Sequence, residues 1–222
     1  MVIERSNSNR TAANNDDTRI VSVKCGLNHT AALSKSGHVY VWGKFCGGRD
    51  NGKAGKDDGS ESNQEGPVVD AFFPHKFSIG GLDSGIKPKS IACSTHQTAV
   101  LMSDNSIWVN GIVKLGRGEV AYDFIRVVRP DKWSKRKVEL FGGFHTIALV
   151  DSKEAYYVEL LEPEESYDEQ EETEKADGDL NLAKKWGNVE KVDFIGEDNI
   201  GTIKSIETGW KFGAVLVEEE SL

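Results

Sequence analysis

The sequence predicts an all-β chain that forms a propeller-like array of antiparallel blades, and three observations support this fold class. First, an apolar segment recurs four times along the 222 residues, and a turn and an aromatic segment follow it in three of the four. Second, apolar side chains alternate with larger ones after the turn, which is the period of two expected of a strand. Third, these segments carry no 3.6-residue apolar stripe, so a helical solenoid is disfavoured.

Each unit is defined by an anchor residue that precedes its apolar strand. The anchors are His29, Gln97, His145 and Phe212. Their spacing along the chain is irregular, which is expected if loops of different length join the units, because a longer loop costs little extra closure entropy.

The first unit shows the elements most clearly. Residues 30–33 are compact and apolar enough for an inner strand near a crowded centre, and Ser36-Gly37 provide the turn into residues 39–43. The second unit repeats this arrangement with Asp104-Asn105 at its turn. Strand, turn and strand followed by a variable loop are typical of blades.

The stretch GLNHTAALSKSGHVYVWG resembles a repeat of the regulator of chromosome condensation family, Gly-x-x-His-Thr/Ser-x-Ala-Leu, a Gly turn, then Val-Tyr-x-Trp-Gly. The third unit keeps GGFHTIAL but has Val158-Glu159 in place of Trp-Gly. The second unit has Ser94 for the glycine and Gln97 for the histidine, and the fourth keeps only Gly209 and the apolar strand.

The resemblance implies a propeller of seven four-stranded blades. Four units are too few for that ring, so we expect a partial or incomplete ring, a piece of a longer protein, or further blades that are no longer recognisable. An unclosed array exposes a strand edge, and such an edge recruits a partner strand. The chain is therefore expected to act within a larger complex.

The remaining composition predicts four regions. Residues 1–19 are expected to form a disordered polar tail, 20–158 the propeller-like repeats, 159–180 an acidic disordered insertion and 181–222 a final degenerate repeat. No apolar run is long enough for a membrane span. Three cysteines without a CxxC pair favour a reducing compartment. We expect the cytoplasm or the nucleus, with organelle import as the alternative.

Charge suggests where a partner could bind. The net charge of −9 disfavours binding to nucleic acid, which depends on Lys and Arg. A local cluster of basic and aromatic residues is the first candidate for a partner-binding site. Chromatin association through this cluster is a possible function in addition to the two given below, and the net charge disfavours it. The residues of the cluster are Lys132, Trp133, Lys135, Arg136 and Lys137. The acidic insertion is the second candidate, through Glu164, Glu165 and Glu169.

Catalysis is not expected. Phe212 replaces histidine at the anchor position, so His29 and His145 are interpreted as packing residues. Cys25 and Cys93 share a repeat position and are predicted to be buried small residues between blades. A phosphate-loop-like stretch has Ala54 where Ser or Thr is required. We therefore predict no enzyme, no cofactor and no metal, but a protein-binding scaffold. The alternative, from the resemblance alone, is a guanine-nucleotide exchange factor for a small GTPase.

Overall fold

The computed structural model describes residues 19–43, 71–77, 79, 85–114, 119–160, 187–193, 201–210 and 212–218. Within these ranges the regular structure consists of β-strands, and every strand pair is antiparallel. The predicted all-β class is confirmed. A search of the same ranges found no helix long and apolar enough to cross a membrane.

The strands form four sheets, which we call blades 1 to 4 in chain order. Blade 1 contains β1 (Ile20–Cys25), β2 (His29–Ser34), β3 (Val39–Gly43) and β4 (Ala71–Phe77). Blade 2 contains β5 (Pro88–Cys93), β6 (Gln97–Met102), β7 (Ile107–Lys114) and β8 (Glu119–Val128). Blade 3 contains β9 (Val138–Phe141), β10 (Ile147–Val150), β11 (Glu154–Leu160) and β12 (Gly187–Lys191). Blade 4 contains β13 (Thr202–Thr208) and β14 (Gly213–Glu218).

The strand pair predicted in each of the first three units is present, but it lies one strand further from the centre than predicted. Residues 30–33 belong to β2, the second strand of its sheet, and β1 precedes them. The first strands of successive blades contact one another, β1 with β5, β5 with β9 and β9 with β13. The innermost strand was missed because its sequence, such as SVKC in blade 1, shows no continuous apolar run.

Two predicted boundaries differ from the structure. The acidic insertion was expected to begin at residue 159, yet β11 continues through Glu159 and Leu160. The last repeat was expected to begin at residue 181, yet β12 pairs with β11 and completes blade 3. A four-stranded blade needs an outer strand, and the chain supplies it only after the insertion. Residues 1–18 and 161–180 lie outside the described residues.

Neighbouring blades pack face to face through three apolar clusters. We call the side of a blade that faces the next blade its forward face, and the side that faces the previous blade its backward face. Ala31, Leu33, Val39 and Val41 of blade 1 meet Ile91, Cys93, Val100 and Met102 of blade 2. Ala99, Leu101, Ile107 and Val109 of blade 2 meet Val138, Ala148, Val150 and Val158 of blade 3. Ile147, Leu149 and Ala155 of blade 3 meet Ile203 and Ile206 of blade 4.

Candidate functional site

A leucine recurs at the same position of the second strand in every blade, and it marks the forward face. Leu33, Leu101 and Leu149 are 4%, 0% and 1% exposed, because the next blade covers each of them. Leu216 occupies this position in β14 and is 62% exposed. The forward face of blade 4 therefore carries the leucine that the next blade covers elsewhere, but no described residue covers it here.

Two exposed aromatic residues precede this leucine along the chain. Trp210 and Phe212 are both exposed, and the ring of Phe212 lies over Gly209, where an added Cβ would be 2.8 Å from its Cζ. Together with Leu216 they form what we call the forward patch. Large aromatic side chains are the commonest energetic anchors of protein interfaces. The patch has the composition of a binding surface.

The loop that carries Trp210 corresponds to the loops through which the other blades bond to each other. The N–H of Leu27 donates to the carbonyl of Thr95 at 3.1 Å, and the N–H of Thr95 donates to the carbonyl of Phe144 at 3.4 Å. The N–H of Phe144 in turn donates to the carbonyl of Thr208 at 2.7 Å. Successive blades are therefore joined near the centre by a series of backbone hydrogen bonds.

The backward face of blade 1 is also left uncovered by the described residues. Val23 pairs with Ala32, just as Ile91 pairs with Val100 and Ile206 with Val215. Ile91 and Ile206 are buried against the preceding blade, whereas Val23 is exposed. Val21 and Val23, which we call the backward patch, both lie exposed on β1.

The two cysteines follow the same rule. Cys93 is buried at the junction of blades 1 and 2, where its thiol lies 3.6 Å from the carbonyl of Lys24, and burial raises its pKa to about 12. Cys25 occupies the equivalent position in blade 1 and is exposed, so the predicted burial of Cys25 is wrong. The reason is that no described element covers the backward face of blade 1.

The anchor residues connect strands and blades. The side-chain amide of Gln97 donates to the carbonyls of Ile112 at 2.7 Å and Leu160 at 2.8 Å, and accepts the N–H of Leu160 at 3.0 Å. Because Leu160 lies in blade 3, these bonds fasten blade 2 to its neighbour. His29 is buried, and its burial lowers the pKa of the imidazole to about 4, so the ring is neutral at pH 7.

His145 has a different partner. The ring Nδ1 of His145 lies 2.6 Å from Oε1 of Glu159, a mostly buried carboxylate. The backbone N–H of His145 donates to Oγ1 of Thr208 at 3.0 Å. The Thr208 hydroxyl donates back to the carbonyl of His145 at 3.1 Å. The third anchor thus holds blade 4 through Thr208 and its own blade through Glu159.

The Glu159 pair arises where the repeat loses a glycine. Gly43 and Gly111 stand opposite the anchors of blades 1 and 2 with φ of 120° and 131°, and the strand register shifts beside each of them. Glu159 takes this place in blade 3, and β11 pairs with β12 without a shift. Replacing the glycine therefore straightens the strand and places a carboxylate on His145. The sequence signal for this pair is the replacement of Trp-Gly by Val158-Glu159 in the third unit. The pairing of Glu159 with His145 was not predicted from it.

The comparisons with known proteins agree with this repeat geometry. Residues 20–49 match the family model described as the regulator of chromosome condensation (RCC1) repeat. The RCC1 domain-containing protein RUG3, mitochondrial, of Arabidopsis thaliana is 26% identical over 139 residues, which are 61% of this chain and 29% of that protein. The repeat at residues 20–49 is therefore of the RCC1 type. The resemblance stated from the sequence is confirmed.

Solved structures share the fold. Yeast RCC1 (Prp20), in its structure with Kap60, aligns over 92% of this chain and 43% of that chain, with 19% identity and a TM-score of 0.50. Human WBSCR16 aligns over 90% of this chain and 45% of that chain, with 14% identity and a TM-score of 0.52. The chain thus spans less than half the length of each relative, and these structures support its propeller-like fold.

The basic and aromatic cluster is only partly available to a partner. Trp133 is 2% exposed and packs between blades 2 and 3, with its ring centroid 5.1 Å from that of Tyr156. Its predicted role in partner binding is therefore wrong, because the ring belongs to the core. Asn105, at the turn of blade 2, donates to the carbonyls of Trp133 and Arg136, both at 2.9 Å, and holds this segment.

The basic residues of the cluster differ in their surroundings. Arg136 bonds to Asp151 at 2.7 Å and Glu154 at 2.5 Å, and these carboxylates raise the pKa of Arg136 while the Arg136 guanidinium lowers that of Asp151. Lys137 lies 3.1 Å from Glu139. Lys132 is exposed above the Trp133 ring, at 5.6 Å from its centroid, and Lys135 is exposed with a φ of 64°. The candidates Glu164, Glu165 and Glu169 lie outside the described residues.

The buried His29 predicts a dependence of stability on pH. Between its unfolded pKa of 6.5 and its folded pKa of about 4, the unfolded chain binds the proton and the folded chain does not. The stability present above pH 6.5 is therefore lost as pH falls, by about 3 kcal/mol at pH 4. We expect urea unfolding as a function of pH to show this loss and His29→Gln to lack it, because glutamine serves at the equivalent position of blade 2. Identical pH profiles for the two proteins would contradict the assignment.

The Gln97 bridge predicts a measurable contribution to stability. Gln97→Ala leaves three buried backbone groups without this partner, and we expect the free energy of unfolding to fall by about 2–4 kcal/mol. Gln97→His is the control, because histidine occupies this position in blades 1 and 3 and can keep one hydrogen bond. Its loss should be smaller. Equal losses for the two variants, measured by urea unfolding, would contradict the bridging role.

Proposed function

We propose that this chain is a non-catalytic, protein-binding subunit of a larger complex and that it binds through the forward patch of blade 4. The exposure of Leu216 is the observation behind this proposal, because the equivalent leucines of the three other repeats are buried by the next blade. Fully burying a leucine side chain contributes about 1.5–3 kcal/mol. Covering the patch with a partner would recover this contribution.

The hairpin of blade 4 supports the same proposal. Blades 1 to 3 each have four strands, whereas blade 4 has β13 and β14 among the described residues. No described strand pairs with the outer edge of β14, so its backbone groups on that side can accept a strand from a partner. A binding protein that completes the sheet would gain backbone hydrogen bonds as well as apolar contacts.

The anchors support a non-catalytic role. Two of the three side chains that would be the first candidates for chemistry hold strands and blades together: Gln97 bonds to Leu160, and His145 bonds to Glu159 and Thr208. His29, the third, is buried, and its burial lowers the pKa of the imidazole to about 4. The yeast relative is itself described in a complex with another protein, Kap60, which fits a function in protein binding.

The binding proposal is tested by cross-linking the chain in an extract of its source cells and identifying the joined peptides by mass spectrometry. We expect cross-links from a partner to concentrate on residues 209–218, and Leu216→Asp to abolish capture because a charge cannot be buried there without cost. Phe73→Asp is the matched control, since Phe73 is an exposed apolar residue on β4, away from blade 4. Equal capture by the wild type and Leu216→Asp would refute the proposal.

Exchange of guanine nucleotide on a small GTPase is the alternative that the repeat resemblance suggests. A scaffold has no reason to accelerate nucleotide release, so we expect release from a panel of small GTPases to be unchanged when the chain is added. Release of labelled nucleotide measures this directly. Acceleration by the purified chain would replace the scaffold proposal with the exchange-factor alternative.

We propose the cytoplasm or the nucleus as the compartment, because Cys25 and Cys93 are free thiols and no disulfide holds the described blades. The name of the Arabidopsis relative places that protein in mitochondria, which makes organelle import the alternative to test. A fluorescent fusion at the C-terminus, made from the full transcript, distinguishes the three compartments.

A further inference from the structure

We propose that the forward patch of blade 4 binds the backward patch of blade 1 in a second copy of this chain, so that copies associate head to tail. The inference rests on the proposed function, in which the forward patch binds a protein, and names that protein. Both patches are defined above by residues of the described blades.

The junctions inside the chain show what covers a forward face. In all three, the forward face of one blade meets the backward face of the next, and the leucine of the second strand lies in the contact. Leu33, for example, lies in one cluster with Ile91 and Cys93 of blade 2. A bare forward face therefore has the shape and chemistry to receive another backward face of the same repeat.

The backward face that remains bare has the matching residues. Val23 stands where Ile91 and Ile206 stand in blades 2 and 4, and both of those are buried in junctions. Cys25 is the residue of blade 1 that corresponds to Cys93, whose thiol lies against the carbonyl of Lys24 in the preceding blade. The array thus exposes one face of each kind, and the two faces are complementary rather than alike.

The loops complete the match. Leu27 is exposed in the loop that follows β1, and its counterpart Thr95 accepts a backbone hydrogen bond from the preceding blade. In a head-to-tail pair, the loop of Trp210 in one copy would lie against the loop of Leu27 in the other. This contact would extend the series of backbone bonds that joins the blades near the centre.

The kind of contact determines which assemblies can form. Because the contact is heterologous, two copies form a ring if the rotation closes, and a longer open assembly if it does not.

The first test measures the mass of the purified 222-residue chain by light scattering and sedimentation. We expect a species of twice the chain mass of 24.4 kDa. Leu216→Asp and Val23→Asp should each be monomeric on their own. Their equimolar mixture should recover a two-chain species, because the Val23→Asp copy keeps an intact forward patch and the Leu216→Asp copy an intact backward patch. Phe73→Asp should associate like the wild type.

The second readout follows the thiol of Cys25, identified at the peptide level after alkylation. It should be protected in the wild type, reactive in Leu216→Asp alone, and protected again when that variant is mixed with Val23→Asp. This pattern cannot come from local unfolding at the substitution, because Leu216 and Cys25 lie at opposite ends of the array. Urea unfolding of both monomeric variants confirms that they are folded.

The outcomes separate this inference from the proposed function. A wild type that is monomeric at every concentration with Cys25 reactive, or a mixture of the two variants that stays monomeric, overturns head-to-tail association. If a different protein then cross-links to residues 209–218 and is lost in Leu216→Asp, the proposed function stands with that protein as the occupant. If nothing cross-links to that surface, both are refuted.

Discussion

The packing of one blade's forward face against the next blade's backward face is the interaction on which this structure depends. The second strands of blades 2 and 3 are buried along their whole length, so both faces of each sheet are covered at that strand. A sheet buried on both faces contributes stability only when it has a neighbour on each side. The array must therefore either close or carry a bare face at each end, and the repeat residues at those ends have kept their apolar character.

The anchor position shows how a repeat tolerates change without losing its contacts. Where the opposite strand has a glycine at positive φ, as at Gly43 and Gly111, the strand shifts its register next to the anchor. Where Glu159 replaces that glycine, the strand is regular and the carboxylate binds His145. Gln97 bonds to Leu160 of the next blade and His145 to Glu159 of the opposite strand, which explains why glutamine and histidine both occur at the anchor.

Local pattern was enough to predict the strand pairs, because the turn residues and the period of two are properties of a few consecutive positions. The outer strand of blade 3 could not be placed, since β12 follows a long segment and its partner β11 is distant in sequence. Trp133 and Cys25 were misplaced for one physical reason: their burial depends on a neighbouring blade, not on their own segment. Trp133 gains such a neighbour and Cys25 does not.

Repeat arrays that end in solvent usually carry terminal repeats with a polar outer face, because an apolar end face lowers solubility. Single exposed apolar residues are normal on protein surfaces and would need no explanation. Here the exposed residues occupy the repeat positions that are buried elsewhere in the same chain, Leu216 at one end and Val23 at the other. Neither end of the described array has the polar substitutions of a cap. This retained apolar character is what supports the proposal that a partner covers these faces.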